Sequence, residues 1–443
     1  MRRMFLLTPL AAGIALGLAA PAGAEDLLAI YQLARQNDPT WGAAQAAAGA
    51  GRELEVQGRA GLLPTVGFSA TRFRVDQTVR EPAPPHTANY DSDTYTLQLT
   101  QPLYRKQNAA AYRQARAGSE QAEIALGAAE QDLALRSTQA YFDVLAAEDQ
   151  LRFAETERNA VSGVRQLAER NFNVGSATVI DVHEARARLE LTEAQLVAAQ
   201  GELDARRSAL GALTGGAAPA LARLRDDLAI TDPEPAEPRH WEDRAAQGNP
   251  GVRVLQTLVT MAAEETEKSR SGHYPTLDFI ASRSTIRTGN VFSPALFDYD
   301  QTQVGLQLQV PLFAGGVVAS RVRETKAREE AAQFQYEGSR TLARKLARDS
   351  YLGTTTAAAR VRALERAERA SKKALDATAL GYETGVRTGV DVLNAQQNYY
   401  RTQRDLSGAR YGWLMSQLRL KAAVGALGQD DLRQVNAALA DAR

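Results

Sequence analysis

Residues 384–397 read "TGVRTGVDVLNAQQ", and 210 positions earlier residues 174–187 read "VGSATVIDVHEARA". A glycine, a threonine, an aspartate and an alanine recur at identical spacings: Gly175 and Gly385, Thr178 and Thr388, Asp181 and Asp391, Ala185 and Ala395. A threonine followed three residues later by an aspartate, ahead of an apolar-periodic run, is an acidic form of the capping box that starts a helix. A carboxylate also suits the positive end of the helix dipole. The glycine upstream permits a reversal of the chain. Each stretch is therefore expected to be the tip of a helical hairpin, with Val174 and Thr384 leading into the turns.

Working outward, the two halves align along their length at an offset of about 210, with slips of one or two residues. Asn37-Asp38-Pro39 answers Gly248-Asn249-Pro250, Gly61-Leu62-Leu63-Pro64-Thr65 answers Gly272-His273-Tyr274-Pro275-Thr276, Tyr141 answers Tyr351, and Gly215 answers Gly425. The chain reads as a tandem duplication of one structural unit. From about 107 to 169, and again from about 318 to 380, more than 60 residues rich in Ala, Arg, Glu, Gln and Leu pass without a proline. Each predicts a helix on the order of 95 Å long at 1.5 Å per residue. The following segments repeat by sevens, with Val182, Leu189, Leu196, Leu203 and Leu210 answered by Val392, Tyr399, Leu406, Trp413 and Leu420, and small residues such as Ala185, Thr192 and Ala199 between them. Such heptads predict coiled-coil pairing.

Two strand pairs precede the long helices. Val304, Leu306, Leu308, Val310 and Leu312 alternate with Gln303, Gly305, Gln307 and Gln309, and Tyr95, Leu97 and Leu99 alternate with Thr96, Gln98 and Thr100. That period gives one apolar and one polar face. The stretches "EPAPPHTANYDSD" from Glu81 and "TGNVFSPALFDYD" from Thr288 read as long connectors. The pattern fits both a hairpin on a soluble core and a lipid-facing barrel with a wet interior. In hydrocarbon, four strands with open edges are not tolerated, whereas three chains supply 3 × 4 = 12 strands, which can close.

Composition sets the compartment. Arg2 and Arg3, the apolar run Phe5 to Ala20 and the small residues Ala22-Gly23-Ala24 read as a secretory signal peptide. The chain has no cysteine, which removes disulfides and thiolate metal sites, and its 52 basic residues equal its 52 acidic ones, which gives no electrostatic case for nucleic acid. The expected organisation is a signal peptide over 1–24, a helix over 25–60, a β-hairpin over 61–104, a long helical hairpin over 105–213, a Pro-rich acidic linker over 214–247, a helix over 248–271, a second β-hairpin over 272–313, a second helical hairpin over 314–425 and a tail over 426–443.

The tips "NFNVGSATVIDVHEARA" and "GYETGVRTGVDVLNAQQNYY", in this order with the paired strands and the signal peptide, resemble those of the TolC family of outer-membrane efflux and secretion channels. The resemblance covers essentially the whole mature chain and lies with the unlipidated branch, since no N-terminal cysteine is present. It implies a mainly α protein with a membrane β-barrel part: a homotrimer whose 12-stranded barrel, set in outer-membrane lipid of a Gram-negative bacterium, continues as a long periplasmic α-helical coiled-coil barrel, with the linker at its equator. It also implies two partners, a periplasmic adaptor and an inner-membrane transporter driven by ATP or protons. Carried over to this sequence, Asp181, Tyr382 and Arg387 would make the bonds that hold the closed tips. Asp391 would point into the pore as one of an acidic ring, where converging like charges raise a carboxyl pKa. The second aspartate of that pattern is Asn394 here. The resemblance further implies that Val174, Gly175, Thr178, Thr384, Gly385 and Thr388 form the tip turns and adaptor contact.

Nothing in the sequence points to catalysis, a cofactor or a metal. The histidines, His86, His183, His240 and His273, stand in unrelated contexts without a nucleophile, phosphate loop or ligand spacing. A non-channel periplasmic adaptor or scaffold would share the long helices and the signal peptide, but it would not need two separated strand pairs with opposed faces. Drug efflux and polypeptide secretion both remain open.

Overall fold

A computed structural model describes residues 24–439 except 82, 83, 226 and 292, and the signal-peptide expectation lies outside the described residues. The N-terminal segment is two helices rather than one, α1 (Leu27–Asn37) and α2 (Pro39–Ala60). Pro39 breaks them: Asp38 stays extended and its carboxylate caps α2 by accepting from the Thr40 N–H. Then come β1 (Thr65–Val79), β2 (His86–Tyr104), α3 (Lys106–Asn173) and α4 (Val179–Thr214). The second copy follows as α5 (Pro238–Gly248), α6 (Pro250–Arg270), β3 (Thr276–Asn290), β4 (Ser293–Gln309), α7 (Val317–Glu383) and α8 (Gly389–Ala423), with α9 (Gln429–Asn436) at the end. Asn249 caps α6 behind Pro250 as Asp38 caps α2. The duplication is thus written in capping chemistry as well as in sequence.

α3 has 68 residues and α7 has 67, about 100 Å each at 1.5 Å per residue. Neither pairs by leucine stripes alone. On α4 the buried positions are Ala185, Thr192, Ala199, Leu203, Leu210 and Thr214, while Val182, Leu189 and Leu196 are half-buried. The small residues therefore form the seam near the tip, where they let the helix backbones approach closely. The main core sits mid-length, where Leu27, Ile30, Leu133, Phe142, Leu145, Leu210, Trp413, Leu414 and Leu418 enclose the middle of α3 and α8. Phe142 and Tyr411 stack there at 5.4 Å between centroids.

The linker and tail carry more structure than their composition suggested. α5 lies inside the segment expected to be irregular, and its Trp241 packs on Ala343, Ala347 and Tyr351 of α7. Tyr141 donates to the Ala222 carbonyl at 2.6 Å and Tyr351 to the Ala236 carbonyl at 2.9 Å, so equivalent tyrosines moor both long helices to the linker. In the tail, Asn436 donates to Asp26 and accepts from the Leu27 N–H, which closes the start of α1.

The four strands form one antiparallel sheet in the order β1-β2-β3-β4, leaving β1 and β4 as edges. The long connectors expected between strands are mostly strand: β1 and β2 stay paired out to Val79↔His86, and β3 and β4 to Asn290↔Ser293. Their polar composition hid an alternation. Thr87, Asn89, Asp91 and Asp93 point one way, with Ala88, Tyr90 and Ser92 the other, and cross-strand bonds such as Tyr90 Oη to Gln77 hold the ladder. β4 ends at Gln309, short of the expected Leu312, because Pro311 cannot donate to a ladder.

Candidate functional site at the helix tips

Both tips close by the same device. Gly175 and Gly385 have φ of +74° and +78°, the left-handed region that other residues avoid. The chain turns back through 6→1 bonds of the Schellman kind, Ser176 N–H to the Asn171 carbonyl (2.8 Å) and Val386 N–H to the Gly381 carbonyl (2.8 Å). The capping boxes follow. Asp181 accepts from the Thr178 N–H and hydroxyl at 2.8 and 2.7 Å, and Asp391 from those of Thr388, both at 3.0 Å. The return bonds, Asp181 N–H to the Thr178 hydroxyl and Asp391 N–H to the Thr388 hydroxyl, measure 3.3 and 3.2 Å.

Backbone donation from Thr388, then its hydroxyl, then the nearby charge of Arg387 hold the Asp391 carboxyl below the usual carboxylate range. In the single chain this is the opposite of the rise expected from an acidic ring, because the cap stabilises the charged form. A depressed folded-state pKa gives stability that is present above the unfolded value of about 3.9 and lost as pH falls through the folded one. Hydrogen exchange at the Thr388 and Asp391 amides is therefore expected to accelerate below about pH 4, corrected for intrinsic rates. Asp391→Asn should flatten that dependence; a dependence unchanged in this variant would remove the cap from the account.

Tyr382 accepts from the Asn171 side-chain amide at 3.2 Å, a bond that joins the end of α7 to the end of α3. Arg387 folds back over Gly381, where a Cβ would lie 2.8 Å from the Arg387 Cγ. Thr384 bonds back to the Gly381 carbonyl, and Asn394 is exposed on α8. Arg188 of α4 donates to Gln397 of α8. Behind these groups Val161, Val164, Ala168, Ala185, Val392 and Leu393 form a small apolar cluster that joins the two hairpins. At the very end Val174 and Val386 are 77% and 80% exposed.

The model of the family described as outer membrane efflux protein matches residues 30–216 and 241–426, one match for each copy of the duplicated unit. The chain belongs to this family. Among its relatives, the alkaline protease secretion protein AprF of Pseudomonas aeruginosa is 32% identical over 99% of the chain and 92% of its own length. The outer membrane protein TolC of Vibrio cholerae is 30% identical over 98% of both. Among solved structures, the outer membrane protein VceC of Vibrio cholerae superposes with a TM-score of 0.76 at 21% identity, covering 90% of this chain and 96% of that one. The chain is an outer-membrane channel protein of the efflux and secretion class, and the scaffold alternative finds no support.

The sequence reading missed Asn171 and Gly381. The signal was present: at the 210-residue offset they occupy the same position, and the two copies differ there, asparagine in one and glycine in the other.

Proposed function

We propose that three copies assemble into an exit duct of a tripartite efflux or type I secretion system, with a 12-stranded barrel in outer-membrane lipid and a periplasmic helical tube that opens at its tips. The observation that carries the proposal is the part of the sheet nearest the helices: one face apolar, the other polar, with free edges at β1 and β4. Val304, Leu306 and Leu308 are 67%, 66% and 64% exposed in the protomer. Val304, Leu306 and Leu308 lie in β4, whose 17 residues exceed the about 9–11 that a tilted transmembrane strand requires. Open edges in lipid demand partners.

At the other end, Asp181, Tyr382, Arg387 and Asp391 form the gate, and the exposed Val174 and Val386 with the Gly175 and Gly385 turns meet the adaptor. Exposed ion pairs contribute about 0–1 kcal/mol each, so a partner docking on the tips has enough energy to part them. Relatives that match nearly the full chain include proteins named for protease secretion in Pseudomonas aeruginosa and Dickeya chrysanthemi. This favours an inner-membrane ABC transporter and a polypeptide cargo. The test is single-channel conductance of purified protein in a planar bilayer: small steps from wild type, larger ones from Arg387→Ala at equal oligomer yield. Folded protein that never conducts would sink the duct, and equal steps from both would sink the gate.

A further inference from the structure

The sheet exchanges its faces along its length. In the inner part, the face with Val66, Leu99, Ala281, Val304, Phe279 and Leu306 is apolar, up to the rung where Phe68 and Leu97 meet Arg283 and Thr302, and the opposite face is polar, with Gly67↔Gln98, Gln98↔Ser282 and Ser282↔Gln303 in line. Farther out the apolar face becomes charged. Arg72↔Asp93, Asp93↔Arg287 and Arg287↔Asp298 form a row of alternating sign across all four strands, with Arg72 Nη2 2.8 Å from Asp91 and Arg287 Nε 2.8 Å from Asp298. Over the same stretch the polar face becomes apolar and aromatic through Phe73, Val75, Tyr90, Ile286, Phe297 and Tyr299. Ile286 stands opposite Tyr299, and Val75 opposite Tyr90.

A charged exterior and an aromatic interior are the polarity of a sheet that has left the lipid and stands in water. In the protomer Phe73, Phe297 and Tyr299 are 62%, 45% and 48% exposed. Apolar surface of that kind is covered in a working assembly. This face continues the lumen-lining one, so what meets it across the axis is the same face of the other copies. We propose that the outer part of the sheet forms an apolar collar inside the mouth of the channel, a narrowing at the exit separate from the gate at the tips. The proposal rests on the barrel reading. Eight strands enclose a space that side chains just fill, so 12 leave a bore, which large aromatics narrow and dry. Tyr90 is fixed for this role: a Cβ at Gly289 would lie 2.6 Å from the Tyr90 Cβ, and its hydroxyl donates to Gln77 at 2.8 Å.

The chain contains no cysteine, so single-cysteine variants can be labelled cleanly on intact cells. Phe297→Cys and Asp298→Cys are neighbours on opposite faces, and Ile286→Cys with Arg287→Cys is a second such pair. A bulky polyethylene-glycol maleimide is expected to label the Asp298→Cys protein readily and the Phe297→Cys protein about tenfold more slowly, with a small charged maleimide narrowing the gap. Adding Phe73→Ser and Tyr299→Ser to Phe297→Cys should restore fast labelling. Equal rates with the bulky reagent at both positions of both pairs would overturn the collar. Asp298→Cys that reacts only after lysis would instead overturn the barrel reading beneath it.

Discussion

Arg105→Ala is expected to destabilise each protomer by about 3 kcal/mol, toward the low end of what breaking a buried ion pair costs. Arg105 is the extended residue between β2 and α3, the point where sheet passes into helix. Its Nε and Nη2 donate to the two oxygens of Asp278 at 2.7 and 2.5 Å, a bidentate pair. Asp278 lies on β3, opposite Pro102 and Gln307, and is 5% exposed. Without the guanidinium the carboxylate remains buried and unpaired. The low end applies because the Arg105 side chain is itself 39% exposed, so water can reach part of the gap. Lys106 cannot substitute, since its ammonium sits over the Tyr274 ring at 4.2 Å. Arg105→Lys should recover little, because an ammonium does not reproduce the planar fork. Arg105→Ala combined with Asp278→Asn should recover a good part, because the amide removes the stranded charge. Urea unfolding of the detergent-purified protein, followed through Trp41, Trp241 and Trp413, reads the effect. A shift below about 0.5 kcal/mol, the range of ordinary surface substitutions, would mean that the pair does not hold the junction.

The parts of this fold that were legible in sequence are those governed by local rules. The Thr-x-x-Asp boxes, the glycines with positive φ and the proline-free stretches each encode their conformation within a few residues, so they specify tips and long helices directly. The outer strands were hidden because their alternation is between charge and aromatic rather than polar and aliphatic: Asp91 and Asp93 around Ser92 and Tyr90 look like a loop until the register with Arg72 and Arg287 is known. α5 was hidden because its proline and acidic neighbours outweighed the three residues, Trp241, Ala245 and Ala246, that it buries. The Arg105 to Asp278 pair and the Asn171 to Tyr382 bond join residues separated by 173 and 211 positions. No periodicity announces contacts of that kind.

Leu306→Arg is expected to abolish stable insertion, while Gln307→Arg, one residue on, leaves it intact. Leu306 pairs with Phe279, and Gln307 with Asp278, so the two side chains leave the sheet on opposite faces. Leu306 lies near the middle of the apolar alternation, with Val304 and Leu308 on either side. An arginine at the midplane of a lipid-facing barrel surface costs about 2–4 kcal/mol, falling toward zero at the interfaces. In the proposed trimer that cost recurs three times, to roughly 6–12 kcal/mol for the barrel, comparable with the entire stability of an ordinary domain. On the Gln307 side, the polar face of the sheet, the same guanidinium faces the lumen of the proposed barrel and keeps its hydration. The comparison is read as the yield of heat-modifiable oligomer in outer-membrane fractions, with Leu312→Arg as a third variant whose smaller loss reflects its place at the edge of the band. Equal yields from Leu306→Arg and Gln307→Arg would show that neither face meets lipid. Loss with Gln307→Arg alone would turn the barrel inside out, and the collar of Phe73, Phe297 and Tyr299 would then face outward with it.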